Sequence, residues 1–133
     1  MANRLYPKGA EKLLGSLDLT AVTVKAALLS DAYTYSAAHE FLSDVSATVL
    51  NTAQTLGSKA VTGGVFDAAD VVYTAVTTGA NAKFVALYVD TGVAGTSSLV
   101  MLIDTATGLP MATNGGDITI QWDNGANKIF SLV

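Results

Sequence analysis

Cysteine is absent from this 133-residue chain. Its absence excludes disulfides, thiolate nucleophiles and cysteine-held zinc. Glutamate is nearly absent: two Glu stand beside nine Asp. Basic residues are few, six Lys and one Arg, and they form no cluster. With a net charge of -4, the chain lacks the basic footprint that nucleic-acid phosphates require. No apolar run approaches the ~18 residues that span a bilayer, so no membrane partner is expected. The first residues, MANRLYPKGAEKLLGSLDL, lack the ~7–15-residue apolar core of a signal peptide. The expectation is synthesis in a cytoplasm. Charged residues make up 14% of the chain, where about a quarter is usual. A subunit whose surface is covered by partners shows such a deficit.

What is present favours strands. Half the residues are hydrophobic, many of them Val and Ala, and the polar remainder is rich in Thr, Ser, Asn and Gly. Many Val and Thr with almost no Glu suit a pleated sheet better than a helix. The length is that of one domain and is enough to bury a core without staples.

Pro7 and Gly9 precede AEKLLGSL, where Leu13, Leu14 and Leu17 share one side of a short helix. Such a helix must dock to persist. Residues 1–18 are therefore read as an N-terminal arm or short helix, and 19–133 as a single β domain. Val22, Val24, Ala26 and Leu28 alternate with Thr23, Lys25 and Ala27, the pattern of a half-buried strand. Ala37–Leu42 is read as a helical turn. Ala47–Thr55 and the extended KAVT between Gly57 and Gly63 follow with weaker patterning. Asp70–Val76, Ala82–Val89 and Ser98–Asp104 are strands, and Ala82–Val89 is apolar on both faces, as a central strand is. Asp90–Gly95 fits a hairpin loop.

The chain ends NGGDITIQWDNGANKIFSLV. Ile118, Ile120 and Trp122 fall on one face, Asp117, Thr119 and Gln121 on the other. Asp123-Asn-Gly125 is a turn, and Lys128–Leu132 returns as a final strand with Ile129 and Phe130. This hairpin would close a sheet, with Val133 beside it. A lone hairpin cannot bury Ile118, Ile120 and Trp122. The expected fold is mainly β, a two-layer antiparallel β-sandwich with a short N-terminal helix or arm.

Catalytic and metal chemistry find little purchase. The sole histidine, His39, has Glu40 and Asp44 nearby. They form a conceivable metal set, but a histidine serving a surface or a cap is the plainer reading. No Gly-x-Ser-x-Gly elbow occurs. Asp67 and Asp70 form the nearest carboxylate pair, and Asp90, Asp104, Asp117 and Asp123 sit at strand ends, where turns use Asp. DTATGLPM and DNGANKI contain hard oxygen ligands suited to calcium, yet neither matches the helix–loop–helix pattern. GGDIT lacks the Lys-Ser/Thr of a phosphate loop. Tyr33, Tyr35, Tyr73, Tyr88 and Trp122 would serve a sugar platform or, more ordinarily, a core. No cofactor is expected, and no enzyme activity.

Four stretches resemble one family. They are YPKGAEKLL, AVTVKAALLSDAYTYSAAHEFLSDV, KAVTGGVFDAADVVYTAV, and ALYVDTG with LIDTATGLPMATNGGDITIQWDNGANKIFSLV. Together they look like the small virion structural proteins of tailed bacteriophages and prophages. GGVFDAAD, DTATGLP and the NGGDITIQWDNGANKIF ending carry the resemblance most specifically.

The resemblance implies a non-enzymatic virion protein, made in the host cytoplasm and resident in the particle. The first expectation is a capsid decoration or cement protein, with the major capsid protein or another virion protein as partner and a homo-oligomer as its own state. A tail or baseplate subunit is the alternative, and a host-surface glycan-binding module or depolymerase another. The suspected contact is the arm, through Arg4, Leu5, Tyr6, Lys8, Lys12, Leu13 and Leu14. Simple coverage of one end of the domain is the competing use of that arm.

Overall fold

A computed structural model describes residues 3–123, 125 and 128–131. The chain is mainly β with one N-terminal helix. In order come β1 (Arg4–Leu5), α1 (Pro7–Gly15), β2 (Val24–Ser30), β3 (Val49–Thr55), β4 (Ala60–Thr62) and β5 (Val65–Asp67). They are followed by β6 (Val71–Tyr73), β7 (Asn81–Val89), β8 (Ser98–Ile103), β9 (Met111–Ala112), β10 (Ile118–Ile120) and β11 (Phe130–Ser131). The sequence pointed to two sheets, whereas the strands form three. The largest has six strands in the order β1-β8-β7-β2-β3, with β9 also paired to β7. β10 pairs with β6, and β11-β5-β4 make the third sheet.

β7 is central, and its two apolar faces explain that place. Phe84 to Tyr88 are all buried, because both faces of the large sheet are covered. Val85 and Leu87 face one cluster, Phe84, Ala86 and Tyr88 the other. The 90–95 break is a hairpin loop, since Val89 pairs with Ser98.

β2 departs from its half-buried expectation. Ala27, on the face opposite Val24, Ala26 and Leu28, is 0% exposed, and so is Leu29 beside it in the same cluster. Residues 31–48 lie over that face and place Tyr33, Tyr35, Val45 and Leu42 against it. That covering segment holds no helical turn over 37–42. A β-turn closed by His39 N–H on Ser36 carbonyl stands at 36–39, and the helical turns are two single 3-10 turns, Leu42–Asp44 and Ser46–Thr48.

The chain ending departs from expectation more sharply. β10 and β11 do not pair with each other. Ile118 and Ile120 pair with Tyr73 and Val71, while Phe130 pairs with Phe66 in another sheet. Asp70 takes the Trp122 backbone N–H at 3.0 Å, and Ala69 carbonyl takes the indole N–H at 2.9 Å. These bonds end β10's run along β6. Asp123 Oδ1 accepts Gly125 N–H, and the next described strand, β11, belongs to a different sheet. Leu132 and Val133, expected beside this strand, lie outside the described residues.

One apolar cluster joins all three sheets. It holds Val24, Ala26, Leu28, Val85 and Leu87 of the large sheet with Phe66, Val71, Tyr73, Ile118, Ile120, Ile129 and Phe130 of the small ones. Tyr73 ties the sheets by a hydrogen bond from its hydroxyl to Ala26 carbonyl, 2.7 Å. Burial raises the pKa of that phenol far above its ordinary range.

Candidate functional site

The N-terminal residues are built into the fold. Asn3 Oδ1 accepts the backbone N–H groups of Asp104 and Thr105 at 2.8 and 2.9 Å, and its amide donates to Thr105 carbonyl. Arg4 and Leu5 pair with Leu102 and Met101 on β8. Gly9 then allows α1 to lie on β8. A Cβ there would stand 2.6 Å from Leu99 carbonyl oxygen, so only glycine permits this approach.

This docking divides the seven suspected contact residues. Tyr6 is fully buried and faces inward. Leu5 and Leu13 are half-buried against the main core. Lys12 bonds Glu40 at 3.1 Å and lies 4.8 Å from the Phe41 ring centre. Arg4, Lys8 and Leu14 remain outward. Arg4 stacks over Tyr35 at 4.7 Å, Lys8 reaches Glu11 at 3.4 Å, and Leu14 is 86% exposed. The five closure residues, Ile118, Ile120, Trp122, Ile129 and Phe130, are all buried in the one core, though on different sheets.

His39, Glu40 and Asp44 do not converge. His39 Nδ1 lies 2.8 Å from the Tyr33 hydroxyl, itself 2.8 Å from the Tyr6 hydroxyl. Glu40 faces Lys12. Asp44 Oδ2 accepts the backbone N–H groups of Glu40 and Phe41 at 2.8 and 3.0 Å. Those two bonds hold its carboxyl below the usual range. Among the described residues no three His, Cys, Asp or Glu side chains gather as a metal set.

Other carboxylates accept backbone N–H groups, some of their own loops and some of distant strands. Asp67 takes Ala68 N–H, Asp117 takes Ala75 N–H, and Asp90 takes Gly92 N–H beside Lys25. Tyr33, Tyr73, Tyr88 and Trp122 are buried, so they offer no sugar platform. Sequence reasoning missed the Tyr6–Tyr33–His39 chain. Its only signal was the density of hydroxyl and imidazole groups in AYTYSAAH, with Tyr6 supplied from 27 residues away.

Two concavities stand out among the described residues. An open groove of about 960 Å³ runs between β1 and β11, the outermost strands of two sheets. Met101, Leu5 and Phe130 line it together with Arg4, Asp104, Asp123 and Lys128. A smaller apolar pocket of about 150 Å³ lies between α1 and the β4–β5 hairpin.

No family model matches the chain, and neither a curated protein nor a solved structure matches it. The virion resemblance therefore rests on the sequence motifs.

Proposed function

We propose that the chain is a non-enzymatic structural subunit of a tailed-phage particle, a decoration or cement protein that binds the assembled coat shell. The two small sheets act together as the second layer of a sandwich, and the large sheet is the first. One observation supports a contact role above the others: the groove between β1 and β11. Outermost strands are where sheets accept added chain. The groove couples apolar side chains to charges of both signs, which is the make-up of a protein contact surface. Arg4 stands at its margin, exposed and already held in place over Tyr35.

Such a subunit works by mass action. It binds the closed shell better than loose coat subunits and so stabilises the shell by linkage. Many copies on one particle let modest single contacts add up.

Co-sedimentation with emptied heads of the encoding phage tests the reading. The protein should pellet with the heads to a fixed ratio, and Arg4→Glu should weaken that binding while leaving the fold intact. Protein that stays in the supernatant at saturating heads would overturn the proposal.

A further inference from the structure

Residues 32–39 cross the large sheet on little polar support. Just before them, Asp31 N–H reaches Asn81 carbonyl at 3.0 Å. Just after them, Leu42 and Ser43 N–H reach Ser97 and Ala94 carbonyls, and Glu40 carbonyl takes Leu99 N–H. Between these anchors the backbone N–H groups bond only to Ser30 and Ser36. Among the described residues one hydrogen bond ties the segment to a distant element: Tyr33 hydroxyl to Tyr6 hydroxyl, 2.8 Å. The same Tyr33 hydroxyl meets His39 Nδ1, also at 2.8 Å. His39 is the sole histidine of the chain and is half-buried, so solvent protons reach it. Imidazole is the side chain that ordinarily changes charge between about pH 5 and 8.

The buried end fixes the direction of this chain. Tyr6 is 0% exposed, and among the described residues its hydroxyl reaches one acceptor, Tyr33. Tyr6 therefore donates to Tyr33, and Tyr33 donates to His39 Nδ1. That nitrogen accepts only in the neutral ring with its proton on Nε2. A protonated ring carries hydrogen on both nitrogens. Its Nδ1–H then faces the Tyr33 oxygen, and the Tyr33 O–H loses its acceptor. Turning Tyr33 toward Tyr6 strands the Tyr6 O–H instead, and a buried donor left alone is costly. The surrounding charges do not offset this. Glu40 is engaged by Lys12 of α1, and Arg4 of β1 stacks over Tyr35. β7 presents Phe84, an uncharged ring, against Tyr33. The Asp44 carboxylate does feel the His39 charge, but it is exposed and already holds two backbone N–H groups. Its pull through solvent is weak beside a stranded buried phenol.

We propose that His39 is a pH-sensitive latch on residues 32–39: the neutral imidazole holds them on the sheet through Tyr33 and Tyr6, and protonation releases them. The release is local, because the anchors on either side are backbone hydrogen bonds, which do not titrate. It uncovers Tyr6 and Phe84, the two residues that Tyr33 covers. With a single histidine in the chain, one proton governs the change. The inference does not depend on the particle reading and fails separately from it.

Amide hydrogen exchange of the full chain is the test, followed over peptides covering 31–41 and corrected for the intrinsic rate at each pH. Protection there should fall about tenfold between about pH 7.5 and about pH 5, the size that one stranded buried donor implies, while β7 and β8 keep theirs. His39→Asn places an amide oxygen near the position of Nδ1 and cannot be protonated, so its protection should stay high at both pH values. Tyr33→Phe breaks the chain and should leave 31–41 weakly protected at both, with thermal unfolding still cooperative. Protection that does not change with pH in the unaltered chain would overturn the proposal. So would a fall that persists in His39→Asn, or the same fall in Tyr33→Phe.

Discussion

The two faces of the six-stranded sheet are covered by different means. One face meets other strands: Ile118, Ile120, Phe66 and Phe130 press on Val24, Leu28, Val85 and Leu87, and nearly every contact is apolar. The other face meets no sheet. Residues 31–48 cross it with two 3-10 turns, and what fixes them is partly polar: the Tyr6, Tyr33 and His39 chain of hydrogen bonds and the Asp44 carboxylate on its own loop. Apolar burial is strong and undirected. A buried hydroxyl chain is weaker in net terms but directional, and costly when half broken. The first face therefore supplies most of the stability, and the second specifies how one irregular segment lies.

That contrast is open to attack from both sides. Deleting residues 129–133 should have the largest effect. It removes Ile129 and Phe130 from the core and uncovers the edge of β5 that pairs with β11. The expected outcome is aggregation or failure to fold, seen by gel filtration and circular dichroism. A soluble, cooperatively melting product would contradict the weight given to the first face.

Ile120→Ala on that face should cost about 2–5 kcal/mol by urea unfolding, since the site is closed on all sides. Tyr33→Phe on the other face should cost less, about 1–3 kcal/mol. It strands the Tyr6 hydroxyl, which is fully buried and hydrogen-bonded to Tyr33. Tyr6→Phe combined with Tyr33→Phe should then cost less than the two single changes added, because no buried phenol is left alone. Strict additivity would mean that the hydroxyl chain does not act as a unit.

The smallest expected effect is on pH dependence. Asp44 is held ionised by the Glu40 and Phe41 N–H groups, so its folded pKa lies below the unfolded one. Its stabilisation is present above the unfolded value of about 3.9 and is lost as pH falls through the lower folded value. Asp44→Asn should flatten the acid limb of a urea-midpoint profile slightly. The effect is small because the group is well exposed to solvent.

The regular parts of this fold were readable because periodicity reports burial. Ala82–Val89 is apolar on both faces and proved central, and the helix over AEKLLGSL formed where Pro7 starts it. The ending was readable only in part. Alternation placed Ile118, Ile120 and Trp122 on one inward face, but it cannot say which strand each one pairs with. The turn at Asp123 looked like a hairpin because turn chemistry is local, while the exchange of partners is decided by Asp70 and Ala69, more than 50 residues away. Segment 31–48 defeated sequence reading for another reason. Its cover of β2 depends on Tyr6, Tyr33 and His39 meeting in space, and no period marks that. Of the suspected contact residues, charge and apolarity named them all, yet only packing separates the buried Tyr6 from the outward Leu14.

Labelled detection of the protein on intact particles by electron microscopy, with copy number from the same preparation, tests the central claim most directly. A decoration protein predicts label distributed over the head at many copies per particle. Label confined to the tail at few copies, or particles carrying none, would contradict it.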